Sequence, residues 1–303
     1  MRISTQTITN MTNKSVNNAN DLYADVIQKI TSNKNFQKIS DNIVDSTKVL
    51  KLNDQLAKLD QYQSNIQAAM NEMNLAYDTM GSVTDEMNAI NELIVEAASA
   101  TTTPESAKAI ADEIEQRVSS IAGYMNQKYM DNYIFSGTFT HEQAYVDNGD
   151  GSFSYNGSPQ EGSNRNLTIA DNVTFTYNVT GEEIFGEKGT DKEFFTQMQD
   201  LMTELRKPEL DYNAIREKLQ ITESVSKNIV QATGQISAEV AKLQATSELN
   251  EETIVTLTED KVDLEEVDIT KAATDLATAQ SMLQASYMMS SVVMNSVSLL
   301  DYL

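Results

Sequence analysis

The chain has 303 residues, with 22 basic against 45 acidic side chains, a formal net charge of −23 and a pI near 4.3. That balance argues against nucleic acid and against an anionic membrane surface as partners, because both need clustered Lys and Arg. It holds no Cys and a single His, His141, which excludes a disulfide framework, a thiolate metal site and a His–His metal motif and leaves a His-based triad without partners. No apolar run approaches the ~18–20 residues that span a bilayer. The opening Met1-Arg2-Ile3-Ser4-Thr5 lacks the apolar core of a secretory signal.

Residues 1–40 contain neither Gly nor Pro. Val16, Ala19, Tyr23, Val26 and Ile30 recur there at steps of three and four, which marks a helical seam. Thr31 to Asn35 interrupts it as a polar loop. From about residue 42 a long helix is expected, with Leu52, Leu56, Leu59, Ile66, Met70, Met73, Tyr77, Met80, Met87 and Ile94 on one stripe, diluted by Gln63, Thr84 and Asn91. The Met residues of that stripe read either as core filling or as an adaptable interface. Thr103 is a plausible N-cap and Pro104 a first helical position for the next helix, which carries Ala107, Ile110, Ile114, Val118, Ile121 and Met125.

Composition then shifts: eight of the eleven glycines fall between Gly137 and Gly189, so the chain turns often here. Leu167-Thr168-Ile169 and Val173 to Val179 alternate apolar and polar residues, with Asp171-Asn172 as the turn between them, and Ser152 to Tyr155 follows a turn-rich stretch. Residues 133–186 therefore read as a small β-rich insertion between helical arms. Thr190 and Glu193 have capping-box spacing ahead of an apolar face of Phe194, Phe195, Met198, Leu201, Met202 and Leu205. Pro208 stops that helix, and another starts near Glu209, carrying Ile215, Leu219, Ile229, Ile236, Val240 and Leu243.

From Ile236 to Leu303 there is again no Gly or Pro. Ile269, Ala272, Leu276, Ala279, Leu283, Ser286, Ser290, Val293, Val297 and Leu300 form a seam with a repeat of about 3.5 residues, as in coiled coils. The apolar register changes within 262–268, which places a hinge opposite the Thr31 to Asn35 loop. Residues 1–40 hold five basic and two acidic groups, whereas 262–303 hold one basic and six acidic groups. Two seams flanked by opposite charges suggest that the ends pair with each other, although each exposed ion pair contributes at most ~1 kcal/mol.

The expected fold is mainly α with a small β-rich insertion: a long helical bundle, paired terminal coiled-coil helices and an outer β domain. Its expected parts are 1–40 with 262–303, 41–132 with 187–261, and 133–186. The candidate functional residues are the seam anchors Val16, Tyr23, Val26, Ile30, Ile269, Leu276, Leu283, Val293, Val297 and Leu300, read as an assembly interface. Nothing reads as a catalytic, cofactor or metal site. Asp147-Asn148-Gly149-Asp150-Gly151 lacks the alternating ligands and distal Glu of a calcium loop and reads as a hairpin turn. Six Asn-x-Ser/Thr sequons are mostly chance in a chain this rich in Asn and Thr. The reading is of a protein that is not an enzyme.

These features together resemble the flagellin superfamily. Met1-Arg2-Ile3-Ser4-Thr5, Gln61-Tyr62-Gln63-Ser64-Asn65, Tyr133-Ile134-Phe135-Ser136-Gly137 and the stretch from Gln284 to Leu303 are similar to its hook-associated protein 3 family of hook–filament junction proteins. The chain departs from the family where Ser32-Asn33-Lys34-Asn35-Phe36 and Ser40-Asp41-Asn42-Ile43 replace Ser-Gly-Lys-Arg-Ile and Ser-Asp-Asp-Pro. The resemblance implies a structural adaptor of the bacterial flagellum, exported by the flagellar type III apparatus and placed outside the cell. It implies hook-associated protein 1, flagellin, an export chaperone and ring-forming copies of the same chain as partners, and terminal segments that are disordered in the free monomer. A flagellin subunit of the filament itself is the alternative.

Overall fold

The computed structural model describes residues 5–99, 101–149, 151–159, 165–177, 179–186, 190 and 193–300, leaving aside the side chains of residue 5 and of 294–300. In chain order the elements are α1 (Thr5–Ser32), α2 (Ile43–Ala97), α3 (Pro104–Met125), β1 (Lys128–Tyr129), β2 (Asn132–Tyr133), β3 (Tyr145–Asp147), β4 (Phe153–Tyr155), β5 (Arg165–Ala170), β6 (Val173–Tyr177), α4 (Gly181–Phe185), α5 (Phe194–Leu205), α6 (Tyr212–Glu265) and α7 (Ile269–Leu300). The chain is mainly helical with a small β-rich insertion, as its apolar periodicity dictates. It divides into two compact units, one of Met1–Lys58 with Thr253–Leu303 and one of Leu59–Glu252.

In the second unit, α2 faces the core with Ile66, Ala69, Met73, Ala76, Met80, Val83, Met87, Ile90, Ile94 and Ala97, an unbroken alternation of threes and fours. The row of Met70 and Tyr77 expected from the sequence lies to one side of it: Met70 is half-buried and Tyr77 is exposed. The alanines decide this, since small side chains let a packed neighbour approach one row more closely than the other. In α3 all six expected apolar positions are buried, and Thr103 caps it by accepting from the Ser106 amide at 3.2 Å, with Pro104 at the first position. Helix α5 buries its six expected residues but begins at Phe194. Glu193 is its N-cap and makes no side-chain capping bond, so the Thr190–Glu193 spacing precedes the helix rather than framing it. Helix α6 starts at Tyr212, where the Asp211 carboxylate accepts from the amides of Asn213 (2.9 Å) and Ala214 (3.2 Å).

Among the described residues the insertion forms three separate two-stranded antiparallel hairpins, β1–β2, β3–β4 and β5–β6. Asn172 turns β5 into β6 at φ 58°, a left-handed conformation that Asn tolerates better than most residues. The hairpins contribute Tyr145, Tyr155, Phe175 and Tyr177 to the same apolar cluster that α2, α3, α5 and α6 fill. Tyr145 is its aromatic centre, 4.5 Å from the Phe195 ring and 6.0 Å edge-on from Phe185, and burial pushes its phenol well above the ordinary value. Gly181 allows this packing, because a Cβ there would meet the Tyr145 ring at 2.6 Å.

Polar side chains of the long helices fasten β5–β6. The Asn65 amide donates to the Thr168 carbonyl at 2.9 Å and the buried Asn250 amide to the Ile169 carbonyl at 3.2 Å. The Tyr62 hydroxyl reaches Asp171 at 3.3 Å. Glu72, only 7 % exposed, takes a bidentate Arg165 and the Tyr177 hydroxyl, while the guanidinium lies 4.9 Å from the Tyr177 ring centre. Gln63 donates to Ser247 and Glu251 on α6. Gln63 therefore does more than dilute an apolar stripe, and Tyr62 and Asn65, in the same short motif, hold the hairpin.

Replacing Phe195 by Ala removes a ring that touches four other aromatic rings, and is expected to cost about 3–5 kcal/mol in urea unfolding of this unit. Glu239 on α6 has a buried carboxylate oxygen without a hydrogen-bond partner, and burial first, then the charge of Glu183, raises its pKa. The folded state thus binds this proton more tightly than the unfolded chain, so ionised Glu239 destabilises above its folded pKa and the penalty fades as pH falls through it. Glu239→Gln should raise the melting temperature at pH 7, with the gain vanishing near pH 4.5, the group's ordinary value.

Candidate functional site

The first unit holds the pairing of α1 with α7. The Asn35 amide donates to the Glu265 carbonyl at 2.7 Å and Lys34 bridges Glu266. Further along, the Tyr287 hydroxyl donates to Asn20 at 3.3 Å. As residue numbers fall along α1 they rise along α7, so the two helices run antiparallel. The helical path breaks at Glu266–Asp268, inside the 262–268 register change and beside the loop that follows α1. Asp268 restarts it by accepting from the amides of Thr270 (2.8 Å) and Lys271 (3.1 Å).

Both departures from the family pattern fall in that loop, and each has a physical reading. Asn33, where the family carries Gly, sits at φ 55°, a left-handed conformation that Asn reaches more readily than other side chains. Asn42, where the family carries Asp, caps α2 by accepting from the Asp45 amide at 3.1 Å, and Ile43 stands in the first helical position that the family gives to Pro. The Asp41 carboxylate accepts from the backbone amides of Lys38 (2.9 Å) and Gln37 (3.3 Å), and the Lys38 amide in particular holds its pKa below the usual value.

The seam is centred on small residues. Ala19, Val26, Ala272 and Ala279 are buried, and between them lie the half-buried Val16, Tyr23, Ile30, Leu276, Leu283 and Val293. Choosing anchors by size passes over the three alanines, although they are among the most buried positions of the pair. Ile269 is 57 % exposed and packs outside the pairing, which starts one step later at Ala272. The side chains of Val297 and Leu300 lie outside the described residues. Among the described residues a single ion pair, Lys34 with Glu265, links the two ends. Apolar packing, rather than the charge difference, therefore joins them.

Pairing does not cover all the apolar surface. Met282, Met289 and Val292 on α7 each stand one position ahead of a seam residue, as Leu22 does on α1, and Ile8 and Met11 lie nearer the start of α1. All six are exposed, Val292 by 67 %. Met288 beside them is 66 % exposed. Each helix thus carries two adjacent apolar rows, one spent on its partner and one in solvent, the pattern of an interaction surface.

The junction-like motif Tyr133 to Gly137 folds as a knot in the other unit. Ser136 is fully buried and its hydroxyl donates to the carbonyls of Tyr133 (3.2 Å) and Phe139 (3.0 Å). The Phe135 carbonyl accepts from the Gly181 amide at 3.0 Å and from the Tyr155 hydroxyl at 3.3 Å, and Gly137 turns the chain at φ 66°. Asn126, at the end of α3, makes two bonds to the Tyr145 backbone, 2.7 and 2.9 Å. His141 is exposed, and after β3 the Asp147 carboxylate accepts from the Gly149 amide at 2.7 Å. Among the described residues no group of three or more His, Asp or Glu is placed to hold a metal, and no helix is long and apolar enough to cross a membrane.

Leu283→Asp sets a carboxylate in the seam against α1 and should cost the pairing about 1–3 kcal/mol. Limited proteolysis should then cut within α1 and α7 faster than in the unaltered chain while the Leu59–Glu252 unit survives. Met289→Asp, on the exposed row, should leave the rate of cutting unchanged.

Residues 3–140 match the family model described as the bacterial flagellin N-terminal helical region. No curated protein matches the chain. Among solved structures it is similar to a flagellar hook-associated protein from Vibrio parahaemolyticus, with 22 % identity and a TM-score of 0.68 over 75 % of this chain and 100 % of that one. It is also similar to flagellar hook associated protein-3 from Legionella pneumophila, with 13 % identity and a TM-score of 0.63 over 71 % and 98 % of the two chains. FlgL from Bacillus cereus gives 18 % identity and a TM-score of 0.57 over 70 % and 99 %. The chain thus places a flagellin-type N-terminal helical region on the fold of the flagellar hook-associated proteins.

Proposed function

We propose that this chain is a structural adaptor subunit of the bacterial flagellum, joining the hook, through hook-associated protein 1, to the flagellin filament. It is not a catalyst. The observation that carries this reading is the second, exposed apolar row on the α1–α7 pair, on a fold otherwise known from hook-associated proteins. Copies of the chain closing as a ring, together with hook-associated protein 1 on one side and flagellin on the other, supply the surface that covers this row. The assembly interface includes this row together with the seam that presents it, Val16, Tyr23, Val26, Ile30, Ile269, Leu276, Leu283, Val293, Val297 and Leu300, and residues 1–40 with 262–303 order fully only in the assembly, where neighbours contribute to burial. Before that the subunit travels through the flagellar type III apparatus with an export chaperone and reaches the outside of the cell. A net charge of −23 keeps unassembled copies apart.

A second reading, a filament-forming flagellin, is favoured by the family model matched at residues 3–140. Abundance separates the two, since a filament protein dominates sheared flagella and a junction protein is scarce. Electron microscopy of a strain lacking the chain tests the adaptor reading. Bare hooks with flagellin released into the medium are expected, and filaments of normal length would overturn it.

A further inference from the structure

Two Asn-Gly pairs occur in the chain, Asn148-Gly149 and Asn156-Gly157. Asn is chemically labile, and most of all ahead of Gly, where no Cβ shields the backbone nitrogen that attacks the side-chain amide carbon. The fold surrounds the two pairs differently. Asn148 and Gly149 are exposed just after β3, Gly149 stands at φ 83°, and nothing lies within 4 Å of where its Cβ would be. Three side chains address the groups that would react. The Asp147 carboxylate accepts from the Gly149 amide at 2.7 Å, the Ser154 hydroxyl donates to Asn148 Oδ1 at 3.1 Å, and Asn148 Nδ2 donates to the Ser152 hydroxyl at 2.9 Å. At the second pair, Asn156 Nδ2 donates to Glu142 at 3.1 Å. Gly157 is packed against Tyr155, where a Cβ would run into the phenol ring and lie 2.9 Å from the Ser136 carbonyl oxygen.

We propose that Asn148-Gly149 is a self-modifying site, at which Asp147, Ser152 and Ser154 promote the loss of ammonia from Asn148. The chemistry belongs to the single chain and stands apart from the adaptor reading. The Gly149 nitrogen attacks Asn148 Cγ, a new N–Cγ bond forms, and the Asp147 carboxylate takes the amide proton. Negative charge develops on Oδ1, and the Ser154 hydroxyl already donates to that oxygen. The Cγ–Nδ2 bond then breaks beside the Ser152 hydroxyl. Nδ2 departs as ammonia with the proton that Gly149 lost, so ring closure needs no co-reactant. Water opens the resulting succinimide. Opening at Cγ leaves aspartate at position 148, and opening at the backbone carbonyl leaves isoaspartate, with one methylene added to the main chain. Either product adds one negative charge. Isoaspartate also displaces the bond from the Asn148 amide to the Ser152 carbonyl, 3.0 Å, where β3 and β4 meet.

The test keeps the purified full chain in neutral buffer and samples it over weeks by peptide mass spectrometry, with isoaspartate counted by isoaspartyl methyltransferase labelling. A second portion is held in guanidinium chloride, which removes the folded arrangement and keeps both dipeptides. Native Asn148 should convert about tenfold faster than native Asn156, and faster than Asn148 in the unfolded chain. Asp147→Ala and Ser154→Ala should each slow conversion of Asn148 roughly tenfold. If these hydrogen bonds only hold the turn, removing them frees Asn148 and speeds its conversion, so faster loss in either variant overturns the proposal. Native Asn148 that converts no faster than in guanidinium chloride also overturns it, and that comparison needs no variant to fold.

Discussion

A helix with an apolar row on one side has no way to keep that row from water except another surface. α1 and α7 each carry such a row, and the segments lie at opposite ends of the sequence. Meeting requires closing a loop that contains most of the chain, a cost that grows slowly with length and is offset because the intervening residues are already folded. The antiparallel course brings the loop after α1 to the break before α7, where the Lys34–Glu266 bridge and the Asn35–Glu265 hydrogen bond fix the starting register. Ala19, Ala272 and Ala279 are buried along the pair. The larger neighbours fill only the flanks, which is why Val16, Leu276 and Leu283 are half-buried.

The two units solve the burial problem to different degrees. In Leu59–Glu252 the apolar rows of α2, α3, α5 and α6 converge on one cluster, and the hairpins between α3 and α5 close it with aromatic rings. Backbone groups that the short strands leave over are met by side-chain amides from the helices, such as Asn65 and Asn250, so the hairpins need no wide sheet. In the terminal unit a two-helix pair has only one face to bury. Its second row stays in solvent, and that exposed row is the feature on which the proposed assembly rests.

Much of this was legible beforehand, and the misses have identifiable causes. Strong periodicity located every long helix, and the Thr103-Pro104 signal is local chemistry that holds whatever surrounds it. Local spacing misled at Thr190–Glu193, because the start of α5 is decided by where Phe194 and Phe195 enter the aromatic cluster. The stripe of α2 was read one row to the side at Met70 and Tyr77, because two neighbouring rows were both plausibly apolar and only the packed partners choose between them. Strand β3 and the burial of Tyr145 left almost no trace, since three residues are too few to show alternation. Ile269 fitted the seam by spacing but stands exposed, one step ahead of the buried Ala272.

The sequence by itself determined that the ends are helical, that they carry matched apolar seams and that the middle turns often. Helical ends, matched seams and a turn-rich middle are properties of periodicity and composition, which act over a few turns. The tertiary structure decided the antiparallel direction of the pair, the burial of its alanines, the hairpins' attachment through Tyr62, Asn65 and Glu72, and which apolar row remains in solvent. Each of these depends on residues that are distant in sequence arriving at one place, and spacing along the chain carries no information about that arrival.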